Sequence, residues 1–223
     1  MSEPLLPTTN VPLLPLFGRV IFVDWHGVLS NDVFWSSILD KPTHPLHEDL
    51  TRATGALFSG QQEYVRDWMR GKLATEDIIK NCAVRLDRRF RPDFLFRRLQ
   101  RDCRQMAVNT FLVEALRTVY HDTYIVLATD NITLFPIAAR SNPALCGIID
   151  SVICSATAGV LKTDSIVEFF GPWLEAHSLS FADALLLDDN ATTCSNFCAH
   201  GGSAIHVKCL NSVATELKSW RKS

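Results

Sequence analysis

The spacing of apolar residues along this chain changes twice. Val20, Ile21, Phe22 and Val23 form an uninterrupted apolar run that stops at Asp24 and Gly27, the pattern of a strand buried on both faces of a parallel sheet. From about position 47 the period becomes helical. Leu50, Ala53 and Leu57 are followed by Tyr64, Val65, Trp68 and Met69, then by Ile78, Ile79, Cys82, Ala83 and Leu86, then by Phe94, Leu95, Leu99 and Cys103, all at three- and four-residue spacing. Local signals place the helix starts. Asp32 stands where it can cap a short helix through Leu39, Thr75-Glu76-Asp77 reads as a capping box, and Pro92 suits a first helical turn. Pro42, Thr43, His44 and Pro45 require an irregular connection. No strand pattern interrupts this block, which predicts a small helical bundle inserted after the first strand.

Beyond about position 118 the two periods alternate. Helix 110–120, strand 124–128, helix 132–140, strand 148–154, helix 164–177, strand 184–187, helix 191–200, strand 204–207 and helix 212–220 follow in turn. Strands separated by helices of this length pair in parallel through right-handed crossovers. The expected fold is α/β, a Rossmann-like doubly wound parallel sheet with an inserted helical domain. The core is expected to comprise 18–29 and 119–223, and the insertion 30–118. An irregular arm, 1–17, holds four Pro and seven Leu, Val or Phe.

Composition narrows the picture. At 223 residues with 47% hydrophobic content, the chain can bury one substantial core with a smaller satellite. Seven Cys without a paired metal-type spacing read as small hydrophobes in a reducing compartment. Cys194 and Cys198, one helical turn apart, read as packing rather than as metal ligands. The arm carries no Lys or Arg ahead of its apolar residues, unlike a secretory signal, and no run is long enough for a membrane span. A cytoplasmic protein is expected. The net charge of −2 provides no general field for nucleic acid. Arg85 to Arg104 holds eight Arg against Asp87, Asp93 and Asp102, and reads as the solvated side of helices whose Phe and Leu face a core. Oligomeric state has no signature.

Candidate chemistry sits where strands end. The first strand ends at Asp24, the second at Thr129-Asp130-Asn131, and the fourth at Asp188-Asp189-Asn190, while Lys162 precedes the helix after the third. In an open parallel sheet these ends converge on one crevice. The three carboxylates of Asp24, Asp188 and Asp189 around one point require a cation, and a hard divalent ion with oxygen ligands, partly balanced by Lys162, satisfies them.

These segments resemble the haloacid dehalogenase-like (HAD) hydrolases, mostly phosphatases, over nearly the whole chain after Gly18. Val20 to Val28 resembles the first family motif, whose leading Asp, here Asp24, is the nucleophile. Ile125-Val126-Leu127-Ala128-Thr129 resembles the second, whose Thr or Ser hydrogen-bonds the phosphoryl oxygen. Gly159-Val160-Leu161-Lys162 resembles the third, with Thr163 where many members have Pro. Leu185-Leu186-Leu187-Asp188-Asp189-Asn190 resembles the acidic fourth motif, and Ala204-Ile205-His206-Val207 the strand after it. The helical insertion sits where the family carries an α-helical cap domain that selects small substrates.

The resemblance implies Mg²⁺-dependent hydrolysis of a small phosphorylated substrate through an aspartyl-phosphate. Asp24, His26, Thr129 and Lys162 would be catalytic. Asp24, the His26 backbone carbonyl, Asp188 and Asp189 would hold the ion. Trp25, Thr129, Asp130, Asn131 and Lys162 would contact substrate. One position departs from the pattern. The family's phosphatases carry a second Asp two residues after the nucleophile, and here that residue is His26. The departure keeps two alternatives open: dehalogenase-type displacement at carbon by Asp24, and a catalytically weak protein kept for binding or regulation.

Overall fold

The computed structural model describes residues 17–208, 213, 215–217 and 219–220. β1 (Val20–Val23) is followed by five helices, α1 (Ser36–Leu39), α2 (His47–Gly60), α3 (Gln62–Met69), α4 (Thr75–Asn81) and α5 (Phe94–Gln105). Then come α6 (Thr110–Arg117), β2 (Tyr124–Thr129), α7 (Phe135–Arg140), β3 (Ser151–Cys154), α8 (Ser155–Ala158), α9 (Ile166–Ala176), β4 (Ala184–Asp188), α10 (Ala191–Ala199) and β5 (Ser203–His206). The predicted arm 1–17 lies outside the described residues except for Phe17, whose ring packs edge-on against Tyr124 at 4.9 Å. In the predicted terminal helix the described residues are helical, with Val213 and Leu217 buried.

All five strands are parallel, in the order β3-β2-β1-β4-β5. The chain winds outward from β1 in one direction and then in the other, so β1 and β4 flank the point where the winding reverses. Ligands of open α/β sheets bind outside the carboxyl ends of strands at such a point. The alternation of side chains sorts the sheet residues onto two faces. Ile21, Val23, Ile125, Leu127, Leu185 and Leu187 join the core that runs into the helical block. Val20, Phe22, Tyr124, Val126 and Leu186 pack under Phe169, Phe170 and Phe197 on the other face. Both faces are covered, which is why the strands read as continuous apolar runs.

The helical block shares its core with the sheet through Trp25, Val28, Leu29, Met106 and Leu112. Its entry and exit run side by side, with Ala107 N donating to Asp32 Oδ2 at 2.6 Å and Asn109 N donating to the Leu29 carbonyl at 2.7 Å. Three predicted helix starts are thereby corrected. Asp32 caps no helix because its carboxylate bridges the two linkers, and α1 begins at Ser36 with Asp102 accepting from Ser37 N and Oγ. Thr75 forms no capping box, since its hydroxyl accepts from the Trp68 indole N–H at 3.1 Å. Pro92 precedes the α5 N-cap, Asp93. The Arg-rich run pairs locally, Arg89 with Asp87 and Arg97 with Asp93.

The block also touches the core at α8 and the loop after it. Ser155 Oγ, buried at the start of α8, donates to the Met69 carbonyl at 2.6 Å. Gly71, at φ 73°, lies so close to the Ala156 carbonyl that a Cβ would clash. Arg70 donates to both carboxylate oxygens of Asp164, at 2.8 and 3.0 Å, and Arg66 joins the pair. Among the described residues no helix is long and apolar enough to cross a membrane.

The Arg70 hydrogen bonds hold the Asp164 carboxyl down at about 2, against the upward push of burial. A carboxyl depressed in the folded state contributes stability above its unfolded value and loses it as pH falls through the folded one. Asp164→Asn should therefore cost about 1 kcal/mol at pH 7, the scale of a partly exposed pair. The gap from wild type should narrow from about pH 4 downward, as measured by urea unfolding across pH.

Candidate active site

Asp24 continues β1 by one residue and donates its backbone N–H to the Leu187 carbonyl at 2.9 Å, so its side chain leaves the sheet beside the end of β4. Asp188 closes β4. Between the two carboxylates stands Lys162, with Nζ 2.8 Å from Asp24 Oδ1 and 2.6 Å from Asp188 Oδ2. Asp24 is 8%, Lys162 4% and Asp188 0% exposed. Short local bonds fix each group. Trp25 N donates to Asp24 Oδ1 at 2.7 Å, Asn190 N to Asp188 Oδ1 at 2.8 Å, and Lys162 N to Asp130 Oδ1 at 3.0 Å. Three sequence-distant segments thus meet through one ammonium group.

Burial raises the Asp24 carboxyl, Lys162 pulls it down and the charge of Asp188 raises it again, with a net rise to about 7. Burial lowers Lys162, yet Asp24 and Asp188 outweigh this and leave it well above the ordinary lysine range. Asp130 is also raised by burial, with Lys162 opposing. One ammonium therefore does not neutralise the pocket.

Asp189 behaves differently from its neighbour. It is exposed, and its carboxylate has no hydrogen bond among the described residues. Gly27, at φ 79°, gives it room: a Cβ there would strike the Asp189 carboxylate. His206 Nε2 donates to the Asp189 carbonyl at 2.9 Å, and the Asn190 side chain caps α10 by accepting from Thr192 N and Thr193 N. Oxygens of Asp24, Asp188 and Asp189 lie within 4.8 Å of one another. All three donors are hard oxygens, and the His26 carbonyl accepts no hydrogen bond among the described residues. The set fits a small hard divalent cation such as Mg²⁺.

Two hollows meet here. A polar pocket of about 170 Å³ is lined by Asp24, Thr129, Lys162, Asp188, Asp189 and Asn190. A cavity of about 650 Å³ extends from it under the helical block, with Trp25 and Asn131 in its wall. His26 and Asp130 line both. Thr129, 1% exposed, makes no side-chain hydrogen bond among the described residues. Trp25 packs edge-on against Phe135 at 4.9 Å, and its indole N–H is buried without a partner among the described residues.

All nine predicted site residues therefore border these hollows, although some are committed elsewhere. Asn131 Oδ1 accepts from Ile132 N, and Asp130 anchors the lysine loop. The sequence reading missed Ser155, which accepts from Asn131 N at 2.9 Å while holding Met69. Nor did it give His206 a partner, which the structure places on the Asp189 carbonyl. No local signal marks either one.

No family model and no curated protein matches this chain. Solved structures do. A HAD family enzyme from Bacteroides thetaiotaomicron superposes with a TM-score of 0.64 at 10% identity, over 88% of this chain and 98% of that one. The chain has the HAD fold. The same Bacteroides enzyme, solved in complex with magnesium and inorganic phosphate, matches at TM-score 0.62 and 9% identity, over 87% and 98% of the two chains. The L-2-haloacid dehalogenase of Xanthobacter autotrophicus shares the HAD fold at TM-score 0.61 and 16% identity, over 90% and 82%.

Removing one partner of a buried charge cluster leaves the others uncompensated. Lys162→Met should destabilise the fold by about 3–5 kcal/mol at pH 7. Adding Asp188→Asn should recover part of that loss, as read by urea unfolding of both variants.

Proposed function

We propose that this protein is a Mg²⁺-dependent hydrolase of phosphate monoesters with Asp24 as its nucleophile. The observation that carries the reading is the cluster of Asp24, Asp188 and Asp189 around one point, with Lys162 between two of them, at the mouth of a pocket of about 170 Å³. The magnesium and phosphate bound by a solved enzyme of the same fold support it. A magnesium ion held by Asp24, Asp188, Asp189 and the His26 carbonyl would neutralise charge on the transferring phosphoryl group.

The residues divide the remaining work. Asp24 Oδ1 is held by Trp25 N and Lys162, while Oδ2 has no hydrogen bond among the described residues and is free to attack phosphorus. The new oxygen–phosphorus bond forms as the bond to the alcohol oxygen breaks, leaving an aspartyl-phosphate. Water then attacks that phosphorus and restores the carboxylate. Lys162 and the Thr129 hydroxyl bind phosphoryl oxygens. His26, exposed where the two hollows join, gives a proton to the departing alcohol and takes one from water, a pair of steps that imidazole performs near neutral pH. The helical block 30–118 acts as the cap that covers the substrate.

The dehalogenase of the same fold supports a second reading, attack by Asp24 on a carbon bearing halogen. The acidic cluster favours phosphorus, because a reaction at carbon leaves Asp189 without work. A screen of phosphate esters and haloacids with and without Mg²⁺ separates the two. Metal-dependent phosphate release should fall by on the order of 10⁴ or more in Asp24→Asn. Metal-independent halide release would replace the proposal, and no turnover by folded protein would leave a binding role. His26→Ala should lose roughly 10² to 10⁴ on alkyl phosphates and much less on aryl phosphates, whose leaving groups need no proton. Equal losses on both would remove the proton-transfer role.

A further inference from the structure

The larger hollow has a chemistry of its own. Its volume of about 650 Å³ falls within the range of sites that enclose whole small molecules. Most of its wall is apolar: Val33, Phe34, Leu39, Phe58, Met69 and Met106. No Lys or Arg lines it among the described residues. Its two carboxylates are already engaged, Asp32 with Ala107 N and Asp130 with Lys162 N.

One helix face supplies the outer wall. Thr51, Thr54, Gly55 and Phe58 lie along α2 at the spacing of a single stripe and all border the hollow. Gly55 is a poor choice inside a fourteen-residue helix, and a Cβ built there meets no atom within 4 Å. Gly55 is exposed, so a side chain added there would project into the open side of the hollow. Val33 at 46% and Phe58 at 40% exposure are among the few large apolar side chains left open to solvent, and both face this hollow. Isolated exposed apolar residues are ordinary. Two on the wall of one cavity that adjoins the polar pocket mark a surface that a ligand covers.

We propose that this cavity takes the alcohol part of the substrate, and that the substrate class is monophosphates of apolar alcohols, alkyl or aryl, without a second anionic group. The inference rests on the phosphatase reading above. A sugar would set several of its hydroxyls against Phe34, Phe58, Met69 and Met106, and a carboxylate or second phosphate would meet no Lys or Arg.

A homologous series tests the class. From ethyl to hexyl phosphate, kcat/KM in saturating Mg²⁺ should rise roughly fourfold per methylene buried, and 2-naphthyl phosphate should exceed a hexose monophosphate by 10²-fold or more. Gly55→Leu, which fills the stripe, should raise KM for 2-naphthyl phosphate about tenfold or more and lower kcat/KM for ethyl phosphate by much less. Gly55→Ala serves as the folding control, and both variants should melt no lower than wild type. A flat series, preference for the hexose phosphate, or an unchanged KM in Gly55→Leu would overturn the proposal. If no ester is hydrolysed, the phosphatase reading fails by itself, and calorimetry with 2-naphthol and metal-free protein decides the cavity. Binding that Gly55→Leu abolishes supports an apolar occupant, and no binding by wild type rejects it.

Discussion

One ammonium group between two buried carboxylates sets the terms for this structure. Asp24 and Asp188 end neighbouring central strands with almost no solvent, where two like charges side by side are costly. Lys162 makes the arrangement tenable at 2.8 and 2.6 Å, and its geometry depends on Asp130 gripping its backbone, on Trp25 N sharing Asp24 Oδ1 with it, and on Asn190 N occupying the other oxygen of Asp188. A buried ion cluster is a weak source of net stability. Its value here lies in position, because it gathers two carboxylates and an ammonium at the reversal point of the sheet.

The helical block is joined to that centre more closely than two linkers require. Ser155 ties the loop after β2 to the end of α3, and Arg70 ties the same end to Asp164, two residues past Lys162. The helices are therefore tied to the lysine loop, as their two linkers are tied to each other through Asp32. These contacts also set the depth of the apolar cavity. Helix α2 faces the sheet edge across open space, while α3 is pinned to α8. The polar pocket and the apolar hollow are consequently built from different material. The first is strand ends and polar loops, the second is helix faces, and His26 and Asp130 stand where they meet.

The sequence by itself determined the parallel sheet, the five strands and the helical insertion, since burial on both faces and helical spacing leave local periodic traces. It also placed all nine named site residues near one another, because parallel strands bring their carboxyl ends to one edge whatever the crossovers contain. Tertiary structure decided what each polar group does. Asp32 bridges linkers instead of capping a helix, Thr75 serves Trp68, and of two adjacent acids Asp188 is buried on Lys162 while Asp189 stays open beside Gly27. Ser155, His206 and the bare stripe at Gly55 left no mark along the chain. Periodicity records which side of an element faces a core. Hydrogen-bond partners and unfilled space depend on distances between segments far apart in sequence, and those exist only once the chain has folded.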